Sequence, residues 1–264
     1  MGKLVSSTTD SGVTVITLND PPVNAYSYEM MRDLDEAILA ARFDSSVHVI
    51  VLTGAGDKYF CCGADIEMLT RADPTYKYYF CLHANETLRR LEETPKLSIA
   101  ALNGHCVGGG LEVALACDLR IARRGRGKIG LPEVKLGVLP GTGGTQRLTH
   151  LLGKARALEL MVEGENLEPT RALELGLVNA LYDAASGEEF LAQVVEYARS
   201  FTPPGKAALA VGRIKRAVQA GADLPIDQGL ALERELQAEL FASEDAREGL
   251  AAYCEKRPPV FKAR

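Results

Sequence analysis

The sequence predicts an α/β fold with parallel β structure in its first half and a helical C-terminal portion. Two patterns carry that prediction. Short β-branched runs alternate with segments of helical period as far as Ala122, an order that calls for parallel strands joined by crossover helices. Beyond Pro140 the pattern becomes almost wholly helical. A length of 264 residues falls where one hydrophobic core stops growing, roughly 250–300 residues, so one large domain or one domain with a small appendage is expected.

The first predicted strand is VTVITL at 13–18, ended by Asn19-Asp20-Pro21-Pro22, and the second is VHVIVLT at 47–53, ended by Gly54-Ala55-Gly56-Asp57. Both terminators are turn chemistry. Between them, residues 27–42 place Met30, Met31, Leu34, Ile38 and Leu39 at helical spacing behind a Ser27 cap, the pattern of an amphipathic crossover helix. A helix at 78–93, a strand at 97–102 (LSIAAL), a helix at 109–117 and a strand at 119–122 follow. The C-terminal helices are expected at 144–152, 154–163, 169–175, 188–201, after Pro203-Pro204, and at 230–253. Pro203-Pro204-Gly205 is the boundary candidate. It divides a β/α core over 1–200 from a helical region over 201–264.

Hydrophobic residues at 47% and charged residues at 25% are ordinary for a soluble globular chain. Thirty Lys and Arg against 35 Asp and Glu give a net charge of −5, which argues against nucleic acid as a partner. No apolar run approaches the roughly 20 residues that span a bilayer, so no membrane association is expected. Six cysteines without an N-terminal signal pattern read as reduced thiols in a cytoplasmic protein. No CxxC pair occurs and the four histidines are scattered, so no metal site is expected. With aromatics at only 6% and 25 glycines, binding by main-chain groups is favoured.

Three glycine-containing stretches carry the functional information: 58–66, 103–112 and 131–144. None contains GxGxxG, GxxxxGK[ST] or GxSxG, so dinucleotide, P-loop and serine-hydrolase readings lack support. Gly108-Gly109-Gly110 at a predicted helix start can bring main-chain N–H groups to a ligand oxyanion, with the Ala64 amide as a second donor. The same triple glycine equally serves close packing of helix on sheet. Glu112 and Glu133 both stand in apolar company. Two such carboxylates in one pocket can divide acid and base work because their environments separate their proton affinities. The plainer alternative pairs Glu112 with Arg120 or another cation and lets Glu133 cap a turn.

KYFCCGADIEML at 58–69, NGHCVGGGLEVALACDLRIA at 103–122 and LPEVKLGVLPGTGGTQRL at 131–148 closely resemble, in order, three segments of the enoyl-CoA hydratase/isomerase (crotonase) family. The likeness runs from the strand near Val13 to Glu244–Gly249 and Lys262. It implies a ββα spiral core with a helical C-terminal trimerisation region, in a homotrimer or homohexamer. It makes Ala64 and Gly109 the oxyanion-hole donors to the thioester oxygen of an acyl-CoA. It also makes Glu112 and Glu133 the catalytic pair that hydratases of the family carry and isomerases commonly halve. The implied reaction is reversible addition of water to a trans-2-enoyl-CoA, with coenzyme A part of the substrate and no cofactor. Lys58, Cys62, Asp65, Ile66, Gly141, Phe261 and Lys262 are the implied CoA and substrate contacts, the last two reaching across subunits.

The chain departs from the family pattern at Cys61-Cys62, at Leu131 and in the aromatic run Tyr76-Lys77-Tyr78-Tyr79-Phe80. These point to an apolar acyl pocket, and the aromatic run either packs internally or shapes that pocket. The alternatives are a double-bond isomerase, a hydratase specialised for cyclic or branched acyl groups, and a catalytically silent relative that binds RNA or a protein partner.

Overall fold

The computed structural model describes residues 4–264. Strands β1 (Val5–Asp10) and β2 (Val13–Leu18) form an antiparallel hairpin that leads into helix α1 (Tyr28–Phe43). The chain then repeats one unit three times. Strand β3 (Val49–Gly54) is followed by β4 (Tyr59–Cys61) and helices α2 (Ile66–Arg71) and α3 (Pro74–Glu93). Strand β5 (Leu97–Leu102) is followed by β6 (His105–Val107) and α4 (Gly109–Leu115). Strand β7 (Leu119–Arg123) is followed by β8 (Ile129–Gly130) and a 3-10 turn, Glu133–Leu136. Helices α5 (Gly144–Leu152), α6 (Lys154–Glu163) and α7 (Pro169–Glu174), strand β9 (Ala180–Tyr182) and helix α8 (Gly187–Arg199) come next. Helices α9 (Ala208–Gly221), α10 (Ile226–Phe241) and α11 (Glu244–Glu255) complete the chain.

In each unit the first strand joins a six-stranded sheet of order β1-β2-β3-β5-β7-β9, and the second joins a three-stranded parallel sheet, β4-β6-β8. This is the ββα spiral. Every residue of β3 is buried, as the continuous apolar run of a strand covered on both faces requires. Its Val49 and Val51 pack with Ile99, Ile121, and Phe190 and Val194 of α8, while Ile50 and Leu52 face the larger cluster built with α1, α3 and α4. Ser27 caps α1 by accepting the Met30 N–H at 3.2 Å.

Several elements differ from expectation. β1 lies on the sheet edge with five of its six residues exposed, so its polar sequence VSSTTD shows no buried face to detect. The strands of the small sheet have only two or three residues, too few to show a period. β9 lies between the helices expected at 169–175 and 188–201, where no strand was expected. The single helix expected at 230–253 is two, because Ser243 ends one and caps the next by accepting the Ala246 N–H at 3.0 Å.

The C-terminal helices reach the core through α9. A Cβ on Gly212 would stand 2.2 Å from the Pro95 carbonyl oxygen, so α9 rests directly on the loop before β5. Lys215 of α9 is 6% exposed, and its ammonium meets Asp118 at 2.9 Å and the Lys96 carbonyl at 3.0 Å.

Candidate active site

The small sheet delivers two chain segments to one point. After β4 the chain passes Gly63 and Ala64, where Ala64 pairs with Tyr26 in a single parallel bridge. Tyr26 donates its N–H to the Gly63 carbonyl at 2.9 Å and accepts the Asp65 N–H at 3.2 Å. In a parallel pairing this leaves Ala64's own N–H on the far side of the bridge. After β6 the chain enters α4 at Gly109, whose N–H is among the first-turn donors a helix leaves without internal partners. Gly63 has φ +84°, and a Cβ there would lie 2.9 Å from the Gly109 nitrogen. Only glycine permits that approach.

The triple glycine therefore serves packing and amide presentation together. A Cβ on Gly110 would stand 2.0 Å from the Cys61 carbonyl oxygen, and one on Gly109 would stand 2.2 Å from the Tyr26 ring.

Glu112, in the first turn of α4, is 2% exposed. Its Oε1 accepts the backbone N–H of Thr142 at 2.8 Å and of Gly144 at 2.7 Å, and its Oε2 accepts the Thr142 hydroxyl. No cation is among these partners. Arg120 instead donates to the carbonyls of Leu177 and Cys117 at 2.9 and 2.7 Å, which disposes of the Glu112–Arg120 pairing.

Glu133 opens the 3-10 turn after β8. A Cβ on Gly108 would lie 3.3 Å from its Oε1, so the carboxyl sits over the glycine turn that starts α4. Its Oε2 is buried without a hydrogen-bond partner among the described residues. Burial pushes this carboxyl up to about 7, the negative charge of Glu112 adding to the effect and Lys77 opposing it. The two carboxylates thus occupy unlike environments: Glu112 accepts three donors, whereas Glu133 keeps only a bond from its own backbone N–H and leaves Oε2 without a partner among the described residues.

The structure brings Ala64, Gly109, Glu112 and Glu133 together. Cys62 continues the Ala64 segment as a half-buried thiol pushed up to about 11 by burial, against the opposing charge of Lys58. Lys58 is exposed, with its ammonium 5.1 Å from the Tyr59 ring centre. Asp65 caps α2 by accepting the Glu67 and Met68 N–H groups at 2.8 and 3.3 Å, and Ile66 opens that helix with an exposed side chain. Gly141 precedes the Thr142 loop, where a Cβ would meet Cys81 Sγ at 3.1 Å. Phe261 and Lys262 lie elsewhere in the chain, on Pro204 and Asp245 through N–H bonds of 3.1 and 2.7 Å.

Two residues at the site had escaped sequence reasoning. Tyr26 belongs to no motif, and Thr142 is one position in a glycine-rich segment whose side-chain role depends on Glu112, 30 residues away. The aromatic run divides: Phe80 is buried and stacks on Tyr26 at 5.6 Å between centroids, whereas Tyr78 and Tyr79 are 65% and 62% exposed. Cys61 and Leu131 are buried.

Paired amides beside two carboxyls of unlike proton affinity define a class of enzyme that can stabilise oxyanion charge while moving protons on and off neighbouring carbons. The chain belongs to the enoyl-CoA hydratase/isomerase family, which it matches over residues 8–264. It is 38% identical over 246 residues to the short-chain-enoyl-CoA hydratase of Clostridium acetobutylicum, covering 93% of this chain and 92% of that one. It is 35% identical over 250 residues to the crotonyl-CoA hydratase of Syntrophomonas wolfei, covering 94% of each. The crystal structure of an enoyl-CoA hydratase from Geobacillus kaustophilus superposes with a TM-score of 0.95 at 44% identity, over 100% of this chain and 98% of that one.

Proposed function

We propose that this protein is an enoyl-CoA hydratase, a hydro-lyase that reversibly adds water across the 2,3 double bond of a trans-2-enoyl-CoA to give the 3-hydroxyacyl-CoA. The observation that carries this reading is the presence of both Glu112 and Glu133 at one site in opposite environments. Glu112 accepts a proton from water as its oxygen bonds to C3. Glu133 gives its proton to C2, and the Ala64 and Gly109 N–H groups hold the thioester oxygen as enolate charge develops. A single oxyanion donor contributes about 10²–10³-fold and general acid–base help about 10²–10⁴-fold, so the two devices act jointly. In dehydration the glutamates exchange roles.

CoA is part of the substrate and no separate cofactor enters. Lys58, Cys62, Asp65, Ile66 and Gly141 flank it, with Phe261 and Lys262 supplied across a subunit contact in a cytoplasmic homotrimer or homohexamer. Support for assembly comes from exposed apolar side chains on the C-terminal helices, including Ile214, Val218, Ile226, Phe241 and Tyr253. Light scattering at three or six chain masses is expected; a monomer at micromolar concentration overturns this part.

The activity test is the loss of conjugated-enoyl absorbance when crotonyl-CoA is added. No change across short, medium, branched and cyclic enoyl-CoAs rejects the reading. Collapse of both Glu112→Gln and Glu133→Gln is the hydratase outcome; an active Glu112→Gln beside an inactive Glu133→Gln indicates double-bond isomerisation instead.

A further inference from the structure

Hydration acts on one short conjugated unit, with the thioester oxygen at one end and C3 at the other. The amide pair and Glu112 must therefore keep a fixed separation, since a misplacement of about 1 Å can cost about 10²-fold. They sit on different elements: Ala64 after β4, Gly109 and Glu112 on α4, and the donors to Glu112 on the loop before α5.

One buried residue meets the Ala64 segment, Gly109 and the loop that holds Glu112. The backbone of Tyr26 brackets Ala64 through Gly63 and Asp65, at 2.9 and 3.2 Å. Its ring occupies the space where a Gly109 Cβ would fall, 2.2 Å from Cε1. Its hydroxyl lies 3.1 Å from Thr142 Oγ1, and that oxygen donates to Glu112 Oε2. Thr142 has a single hydroxyl proton. With that proton committed to Glu112, Tyr26 is the donor, and the relay runs Tyr26 to Thr142 to Glu112.

We propose that Tyr26 is a positioning residue that holds Glu112 in register with the Ala64–Gly109 amide pair through this hydroxyl relay. It is 2% exposed and acts through Thr142. The inference rests on the hydratase reading.

Tyr26→Phe keeps the ring against Gly109, the stack on Phe80 and the backbone pairing with Ala64, and removes only the hydroxyl that donates to Thr142. Hydration of crotonyl-CoA by the wild type, Tyr26→Phe, Thr142→Val and the double variant tests the proposal, with thermal unfolding recorded for each. Tyr26→Phe is expected to lower kcat about tenfold, the upper end of the scale for one hydrogen bond between neutral groups. KM should stay within about twofold and the pH midpoint set by Glu133 should not move. The double variant should lose no more than Thr142→Val alone, because the two hydroxyls act in series. Thr142→Ser should recover most of the rate lost by Thr142→Val. Wild-type kcat in Tyr26→Phe, or losses that multiply in the double variant, overturn the proposal while leaving the hydratase reading intact. A wild type that hydrates no enoyl-CoA overturns both.

Discussion

Arg147 on α5 grips Glu92 on α3 with two donors, Nε to Oε1 at 2.6 Å and Nη2 to Oε2 at 2.8 Å. Its remaining nitrogen, Nη1, donates to the Thr142 carbonyl at 3.0 Å. A mostly buried fork thus anchors the loop whose amides hold Glu112. Lysine cannot reproduce this planar three-way grip. Arg147→Lys is expected to cost about 1–3 kcal/mol of stability, as removal of a partner from a largely buried charged group does. It should also lower kcat more than it raises KM. Urea unfolding beside crotonyl-CoA hydration measures both, and an unchanged midpoint with unchanged kcat contradicts the anchoring role.

The elevated Glu133 sets a pH limit on the reaction. Hydration requires the glutamate pair to hold one proton, and the last proton leaves near the Glu133 value of about 7. The rate constant kcat/KM is therefore expected to fall as pH rises through about 7. Because hydration takes up no net proton, dehydration must show the same limb. Glu133→Gln removes it from whatever residual rate remains. Rate profiles in both directions that stay flat from pH 6 to 9 would count against the assignment.

The same group affects stability with a defined sign. Its folded value of about 7 lies above the ordinary 4.5, so between these pH values the folded chain holds a proton that the unfolded chain has released. Stability then declines as pH rises from about 4.5 to about 7. Glu133→Gln should flatten that part of the curve, as read from unfolding midpoints at half-unit pH steps.

Gly63 tolerates no side chain. With φ +84° and a Cβ position 2.9 Å from the Gly109 nitrogen, Gly63→Ala must push the two amide-bearing segments apart. A loss of kcat of at least about 10²-fold is expected, the scale of one oxyanion donor. Gly137, also at positive φ but with nothing near its Cβ position, serves as the control: Gly137→Ala carries the backbone strain without the collision. Equal loss in both variants would mean that strain alone is responsible.

Burial pushes the thiols of Cys61 and Cys117 up to about 12, that of Cys106 well above its ordinary value, and that of Cys62 up to about 11. The thiolate is the reactive form. A thiol-reactive disulfide at pH 8 is expected to leave these four unmodified in the native protein, whereas the unfolded chain exposes six. Rapid labelling of Cys61 or Cys62, located by peptide mapping, would refute this.

The reach of sequence reasoning follows physical scale. β2 and β3 were legible because their β-branched runs are long enough to show burial, and β5 and β7 because runs of five or six residues alternate with helical segments. The two- and three-residue strands of the small sheet were not, although they carry both amide segments to the site. Glu112 and Glu133 stood out as carboxylates in apolar surroundings. Arg120, the cation near Glu112 in sequence, is bound to carbonyls instead.

Composition, strand and helix order and three glycine-rich segments thus determined the family, the fold class and the candidate glutamates, because each is written in local residue pattern. The frame that makes those glutamates unlike one another belongs to the tertiary structure. Tyr26 and Thr142 lie 116 residues apart, and Thr142 and Glu112 another 30. No periodicity or spacing links positions so distant; only the spiral of ββα units, by stacking short strands into a second sheet, brings three donors to one carboxylate and leaves an oxygen of the other buried without one.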